Sequence, residues 1–185
     1  MDKTFFALML GGVLLNNCAL QSFMGISTLL GASSNAKKAG ALGVGVTVVM
    51  TVSGFLTWLV NDALLAPMGL QYMQTLVFAA VILAVAYTVG AAAKSVVKKP
   101  LGILFPLTAL NSAVLGVSVT NITEGYTLMQ TLVASLSFGL GFLLAMVVFS
   151  GVASRIEDQY VPKSFRGLPI RVMAASIVAL ALYAF

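Results

Sequence analysis

The sequence predicts an all-α integral membrane protein of six transmembrane helices, arranged as two inverted three-helix repeats over residues 1–98 and 99–185. Three observations predict it. The 185 residues are 60% hydrophobic and only 8% charged, with a mean hydropathy of +1.05, whereas soluble domains are nearer a quarter charged. Six apolar runs approach the roughly 20 residues needed to cross hydrocarbon. Lys and Arg gather in alternate loops between those runs.

The first run covers roughly 5–26. Its opening, "MDKTFFALML", has one Lys beside one Asp and no small-residue cleavage site, so it reads as the start of a retained span rather than a signal peptide. The polar, basic "GASSNAKKAG" separates it from 40–62. "NDALLAPMGLQ", with Asp62 and Pro67, turns the chain into 71–93, and the basic "KSVVKKP" precedes 101–121. "NITEGY", with Gly125, is a tight turn before 127–152. The longest connection, "SRIEDQYVPKSFRGLP", leads into 168–185. Each span is read as a helix because an open sheet edge leaves backbone groups unpaired in lipid.

The loops after spans 1, 3 and 5 hold Lys37, Lys38, Lys94, Lys98, Lys99, Arg155, Lys163 and Arg166, with Arg171 just inside span 6. The opposite side holds only Lys3. Positive charge stays on the cytoplasmic side, which puts both termini outside a bacterial or archaeal cytoplasmic (inner) membrane. The basic face is therefore a topology signal, and no nucleic-acid partner is expected. With no His and a single Cys, Cys18, the chain can build neither an internal disulfide nor a metal site of its own His and Cys.

Three spans per half make the halves point in opposite directions, an arrangement whose polar sites lie near the midplane at the repeat interface. "LLNNCALQSFMGIS" opens the first half and "TALNSAVLGVSVTN" the second; both read Leu-Asn-polar, then small or apolar residues, with Gly25 and Gly116 in similar places. Pro106 in span 4, and Gly11 and Gly12 in span 1, favour an irregular backbone, so spans 1 and 4 are expected to be broken helices. Asn16, Asn17 and Asn111 then form a polar midplane site, or else simply hydrogen-bond helices together. No catalytic residue is assigned.

Other residues admit simpler roles. Asp62 and Glu124 fall at outward span ends, as interfacial charges or a cation entrance. Trp58, Tyr72 and Tyr126 suit an interfacial aromatic belt. Gly139 and Gly141 in "GLGFLLA" suggest close helix contact. The nine Met are scattered and read as packing.

Four stretches carry a resemblance: "VLLNN", "VVMTVSGFLTWLV", "LGILFPLTALNSAVLGVSVTNI" and "VPKSFRGLPIRVMAAS". With them the chain resembles, nearly end to end, the membrane subunits shared by Rnf electron-transport complexes and sodium-translocating NADH:quinone reductases. The resemblance implies six helices in two inverted repeats, an inverted sister subunit, and further subunits of the complex as partners. It implies a function in coupling electron transfer to movement of Na⁺ or H⁺. It also implies a [2Fe–2S] cluster between the sister subunits, held by one Cys on each broken helix.

Here the chain departs from the family pattern. Where the family has Gly-x-Cys-Pro this chain has "GIST", with Ser27 at the Cys position and Thr28 at the Pro; where it has Asn-Cys-Ala-Val-Leu-Gly this chain has "NSAVLG", with Ser112 at the Cys position. Clusters are held by thiolates, and a Ser hydroxyl hardly ionises near neutral pH. Cys18 lies nine residues before Ser27, roughly 13 Å along a continuous helix. The expectation is a family member without the usual cluster half-site. A stand-alone small transporter or channel, or a non-redox scaffold subunit, on the same inverted-repeat fold remains the alternative.

Overall fold

The computed structural model describes residues 8–15, 18, 22, 24–31, 36–96, 111–156 and 161–183. All regular structure among them is helical. The principal helices are α1 (Ile26–Gly31), α2 (Ala36–Val60), α3 (Gln74–Val96), α4 (Ser112–Thr123), α5 (Leu128–Ala153) and α6 (Leu168–Tyr183). Three segments are long and apolar enough to cross a membrane: Ala39–Met68, Gln71–Ala91 and Leu128–Ala153. With the shorter apolar helices Ser112–Thr123 and Leu168–Ala181, they make this a multi-pass helical membrane protein.

The three long segments correspond to the runs at 40–62, 71–93 and 127–152. The first outlasts its apolar run, because a π-helical turn at Asn61–Leu65 and a last turn at Ala66–Met68 carry it through Asp62 and Pro67. Pro67 has no N–H to offer the carbonyl four residues back. The wider turn absorbs that loss, with the Ala66 N–H donating to Asn61 O, and Gly69 ends the helix at a left-handed φ of 65°.

The apolar runs at 5–26 and 101–121 do not appear as single helices among the described residues. In the first, residues 8–10 lead into a π-helical segment, Gly11–Leu15, and α1 starts only at Ile26. In the second, α4 starts at Ser112, and residues 97–110, including Pro106, lie outside the described set.

α2 and α5 form the most extensive helix pair. They approach closely because glycines remove side chains at the crossing. A Cβ on Gly139 would stand 2.7 Å from Thr47 Cγ2, and one on Gly43 would stand 3.1 Å from Leu143 Cα. Thr47 Oγ1 lies 2.8 Å from Gly43 O and 2.9 Å from Gly139 O, so its hydroxyl reaches a carbonyl of each helix. Lipid tails are as apolar as leucine, so helices in a membrane associate through such small-residue packing and polar contacts. The expected close contact at Gly139 is present, and Gly141 is buried. Gly12 packs against Ser137 of the same helix.

Around this pair lies a core that includes Met50, Phe78, Phe142, Met146 and Phe149, all at or near zero exposure. α4 packs on α2 and α3, and α6 on α5. The turn between α4 and α5 is fixed from two sides. Thr127 and Gln130 form a reciprocal capping box at the start of α5. Trp58 Nε1–H donates to Tyr126 O at 2.8 Å, tying the turn to α2.

Candidate functional site

Gly25 and Thr28, around the start of α1, meet Asn111 and Ser112 at the start of α4. Asn111 is extended (φ −78°, ψ 114°) and caps α4, its Oδ1 accepting from the Ala113 N–H at 2.9 Å. Its amide Nδ2 donates to Thr28 Oγ1 at 3.2 Å. Thr28 Oγ1 in turn donates to Gly25 O at 2.6 Å. The Gly25 N–H donates to Ser112 Oγ at 2.9 Å. Each helix start therefore satisfies donors or acceptors of the other, which removes much of the cost of ending a helix inside an apolar region.

Gly25 is the residue that geometry requires here. Its φ of +76° lies in the left-handed region. A Cβ at that position would stand 2.5 Å from Asn111 Oδ1 and 2.6 Å from Phe142 Cε2. Gly25, Thr28 and Asn111 are buried, whereas Ser27 and Ser112 are exposed. The two serines thus stand at the outer edge of a buried hydrogen-bonded junction.

Of the residues expected at a polar midplane site, the structure brings Asn111 to this junction. Asn16 and Asn17 lie outside the described residues. Thr28, Gly25 and Phe142 complete the junction, and sequence reasoning did not assign them to it. Thr28 carries a signal that points elsewhere, since it stands out only as a replacement for proline. Cys18 cannot be placed by helical arithmetic from Ser27, because the chain turns at Met24 and Gly25. The Met24 N–H donates to Cys18 O at 3.1 Å.

The donor set at the junction does not fit an iron–sulfur cluster. It offers hydroxyls rather than thiolates, and Ser112 Oγ is already an acceptor for Gly25. The only Cys of the chain is buried in the wall of a separate crevice. Among the described residues no group of His, Cys, Asp and Glu could hold a metal ion. What the arrangement can do is hold the starts of α1 and α4 in fixed register, with Ser27 and Ser112 at its exposed edge.

The crevice, of about 320 Å³, lies beside this junction. Glu124 and Tyr126 line it at the end of α4, and Gly116, with Cys18 and Met24, lines it nearer the start of that helix. Burial, and then the Glu124 carboxylate, push the Tyr126 hydroxyl above its ordinary pKa of 10.0.

A family model described as "Rnf-Nqr subunit, membrane protein" matches residues 5–185. The chain is similar to the A subunit of the ion-translocating oxidoreductase complex of Syntrophotalea carbinolica, with 38% identity over 99% of this chain and 96% of that protein. It is similar to the A subunit of the Na(+)-translocating ferredoxin:NAD(+) oxidoreductase complex of Acetobacterium woodii, with 36% identity over 98% of this chain and 96% of that one. The corresponding protein of the ion-translocating oxidoreductase complex of Yersinia enterocolitica is 36% identical over 98% of this chain and 95% of its own length.

Proposed function

Because this chain belongs to the Rnf-Nqr family of membrane-protein subunits, we propose that it serves as the A-type membrane subunit of an Rnf-type, ion-translocating electron-transport complex. The observation that carries the proposal is the nearly full-length match to the A-type subunits of such complexes. The moved ion is Na⁺ or H⁺. The complex sits in the cytoplasmic membrane, with both termini of this chain outside.

In this reading the chain has six spans in two inverted repeats, 1–98 and 99–185. Two packing relationships support it. α2 and α5, the second span of each half, pair with one another. The starts of α1 and α4, the interrupted helix of each half, exchange hydrogen bonds. An inverted sister subunit packs at the level of Ser27 and Ser112, where α1 and α4 begin. Exposed hydroxyls cost little against another protein and more against lipid tails.

The same two serines lead us to propose that the chain contributes no half-site for a [2Fe–2S] cluster. Electrons in its complex then follow another path, or a cofactor that the partner subunits hold. The helix junction keeps a structural role, because its internal hydrogen bonds do not need the cluster.

The test is purification of the tagged chain from native membranes in mild detergent, with its companions identified by mass spectrometry. Recovery of an inverted sister subunit with flavin- or iron–sulfur-bearing subunits is expected. Recovery of the chain alone, or only as a homo-oligomer, overturns the proposal in favour of a stand-alone transporter.

A further inference from the structure

The crevice along α4 has a chemical direction. Gly116, Thr120 and Glu124 are four residues apart, so they share one helical face over about 12 Å. At the end nearer the α4 start Gly116 has no side chain, and the Met24 thioether occupies the space a Cβ would need. Along the walls Ser22 and Thr120 supply hydroxyls. At the α4 C-terminus stands Glu124, an exposed carboxylate. The helix C-terminus adds its own partial negative charge at the same end. No Lys or Arg lines the crevice among the described residues. From the α4 C-terminus back toward the Gly25–Ser112 junction, the lining passes from a carboxylate, through neutral hydroxyls, to Met24 and Gly116.

We infer that this crevice is a cation vestibule, through which a small monovalent cation enters from the membrane face poor in Lys and Arg and reaches the level of Gly116. The inference rests on the proposed ion-translocating role of the chain and specifies where such an ion meets it. Glu124 concentrates the cation at the mouth, as a charged cleft with low-dielectric walls does. Ser22 and Thr120 offer oxygens that replace part of its hydration shell. A carboxylate at this position repels anions by the same field.

The single cysteine makes the vestibule measurable, because Cys18 lies in its wall. The experiment uses the intact complex in right-side-out membrane vesicles. Cys18 is treated from outside with a cationic, an anionic and an uncharged methanethiosulfonate, and the Cys18 peptide is quantified by mass spectrometry, with Cys18→Ser as the blank. Rates are normalised to those of a free thiol in water. The cationic reagent is expected to react about tenfold faster than the anionic one. Glu124→Gln should bring that ratio close to one without changing the rate of the uncharged reagent, and Glu124→Asp should keep the preference.

Equal normalised rates for the two charged reagents in the unaltered chain overturn the inference. So does reaction only from the opposite face, or no reaction until the membrane is dissolved, at both the buried Cys18 and a Thr120→Cys variant, whose position is exposed in the same lining. A Glu124→Gln effect that falls equally on the uncharged reagent overturns the electrostatic role of the carboxylate. None of these results depends on which subunits purify with the chain, so the vestibule and the proposed complex can fail separately.

Discussion

The Gly25 N–H donates to Ser112 Oγ at 2.9 Å, across 87 positions of the sequence. This contact joins the starts of two short helices, and Gly25 can make it only from a left-handed backbone at φ +76°. The same turn places Gly25 against Asn111 and Phe142, with no room for a methyl group.

Gly25→Ala should therefore be among the most damaging single-methyl changes in the chain. It combines left-handed strain with overpacking against a buried ring and a capping amide, and should cost about 2–4 kcal/mol. Gly69→Ala is the matched control. Its φ of +65° is similar, but nothing lies within 4 Å of the added Cβ, so only the strain of about 1 kcal/mol remains. Thermal melts of the purified complex in mild detergent check this. Equal losses for the two variants would mean that the junction is not packed as described.

Thr131 and Ser135 lie one turn apart on α5, are both buried, and should respond to loss of the hydroxyl with opposite signs. Ser135 Oγ accepts from Asn121 Nδ2 at 2.9 Å. Thr131 Oγ1 is 1% exposed by residue and has no hydrogen-bond partner among the described residues. Ser135→Ala strands a buried amide donor and should cost about 1–3 kcal/mol. Thr131→Val keeps the shape and removes an unsatisfied hydroxyl, so it should leave stability unchanged or raise it by up to about 1 kcal/mol. A clear loss in Thr131→Val, by the same melts, would reveal a partner for Thr131 that this packing lacks.

The sequence already marks some of these residues, and the reason differs from case to case. Gly139 is legible because it sits with Gly141 in "GLGFLLA", a spacing that suits close helix approach, and it does face Thr47. Asn111 and Ser112 are legible because polar side chains in an apolar run are costly without partners. Their actual partners are not legible. Thr28 and Gly25 belong to a stretch more than eighty residues earlier, and nothing local in "GIST" announces a hydrogen bond to "NSAVLG". The crevice is hidden for the same reason, since Cys18, Ser22 and Met24 form one wall and Gly116 to Tyr126 another. Glu124 stands out in the sequence as a possible cation entrance, but only the fold shows the crevice beside it. The extension of α2 through Pro67 escapes a reading of composition, which ends the run at Asp62, while a wider turn lets the helix continue.

The α2–α5 crossing gives the last prediction, because Thr47 and Gly139 act on each other in two ways at once. Thr47→Val keeps the volume and removes the hydroxyl that reaches Gly139 O at 2.9 Å. Hydrogen bonds between membrane helices are modest, so the cost should be about 0.5–1.5 kcal/mol. Gly139→Ala places a Cβ 2.7 Å from Thr47 Cγ2 and 3.0 Å from its Cα. Because one of those atoms is backbone, the helices must separate, and the cost should reach about 2–3 kcal/mol. Gly151→Ala, on the same helix with nothing within 4 Å of the added Cβ, should be neutral or slightly stabilising, since alanine favours the helix. In the double variant Thr47→Ala/Gly139→Ala the Cγ2 methyl is gone, so its loss should fall short of the sum of the losses for Thr47→Ala alone and Gly139→Ala alone, by about 1 kcal/mol. Full additivity in a double-mutant cycle would place the two residues out of contact and would require a different crossing for the central helix pair.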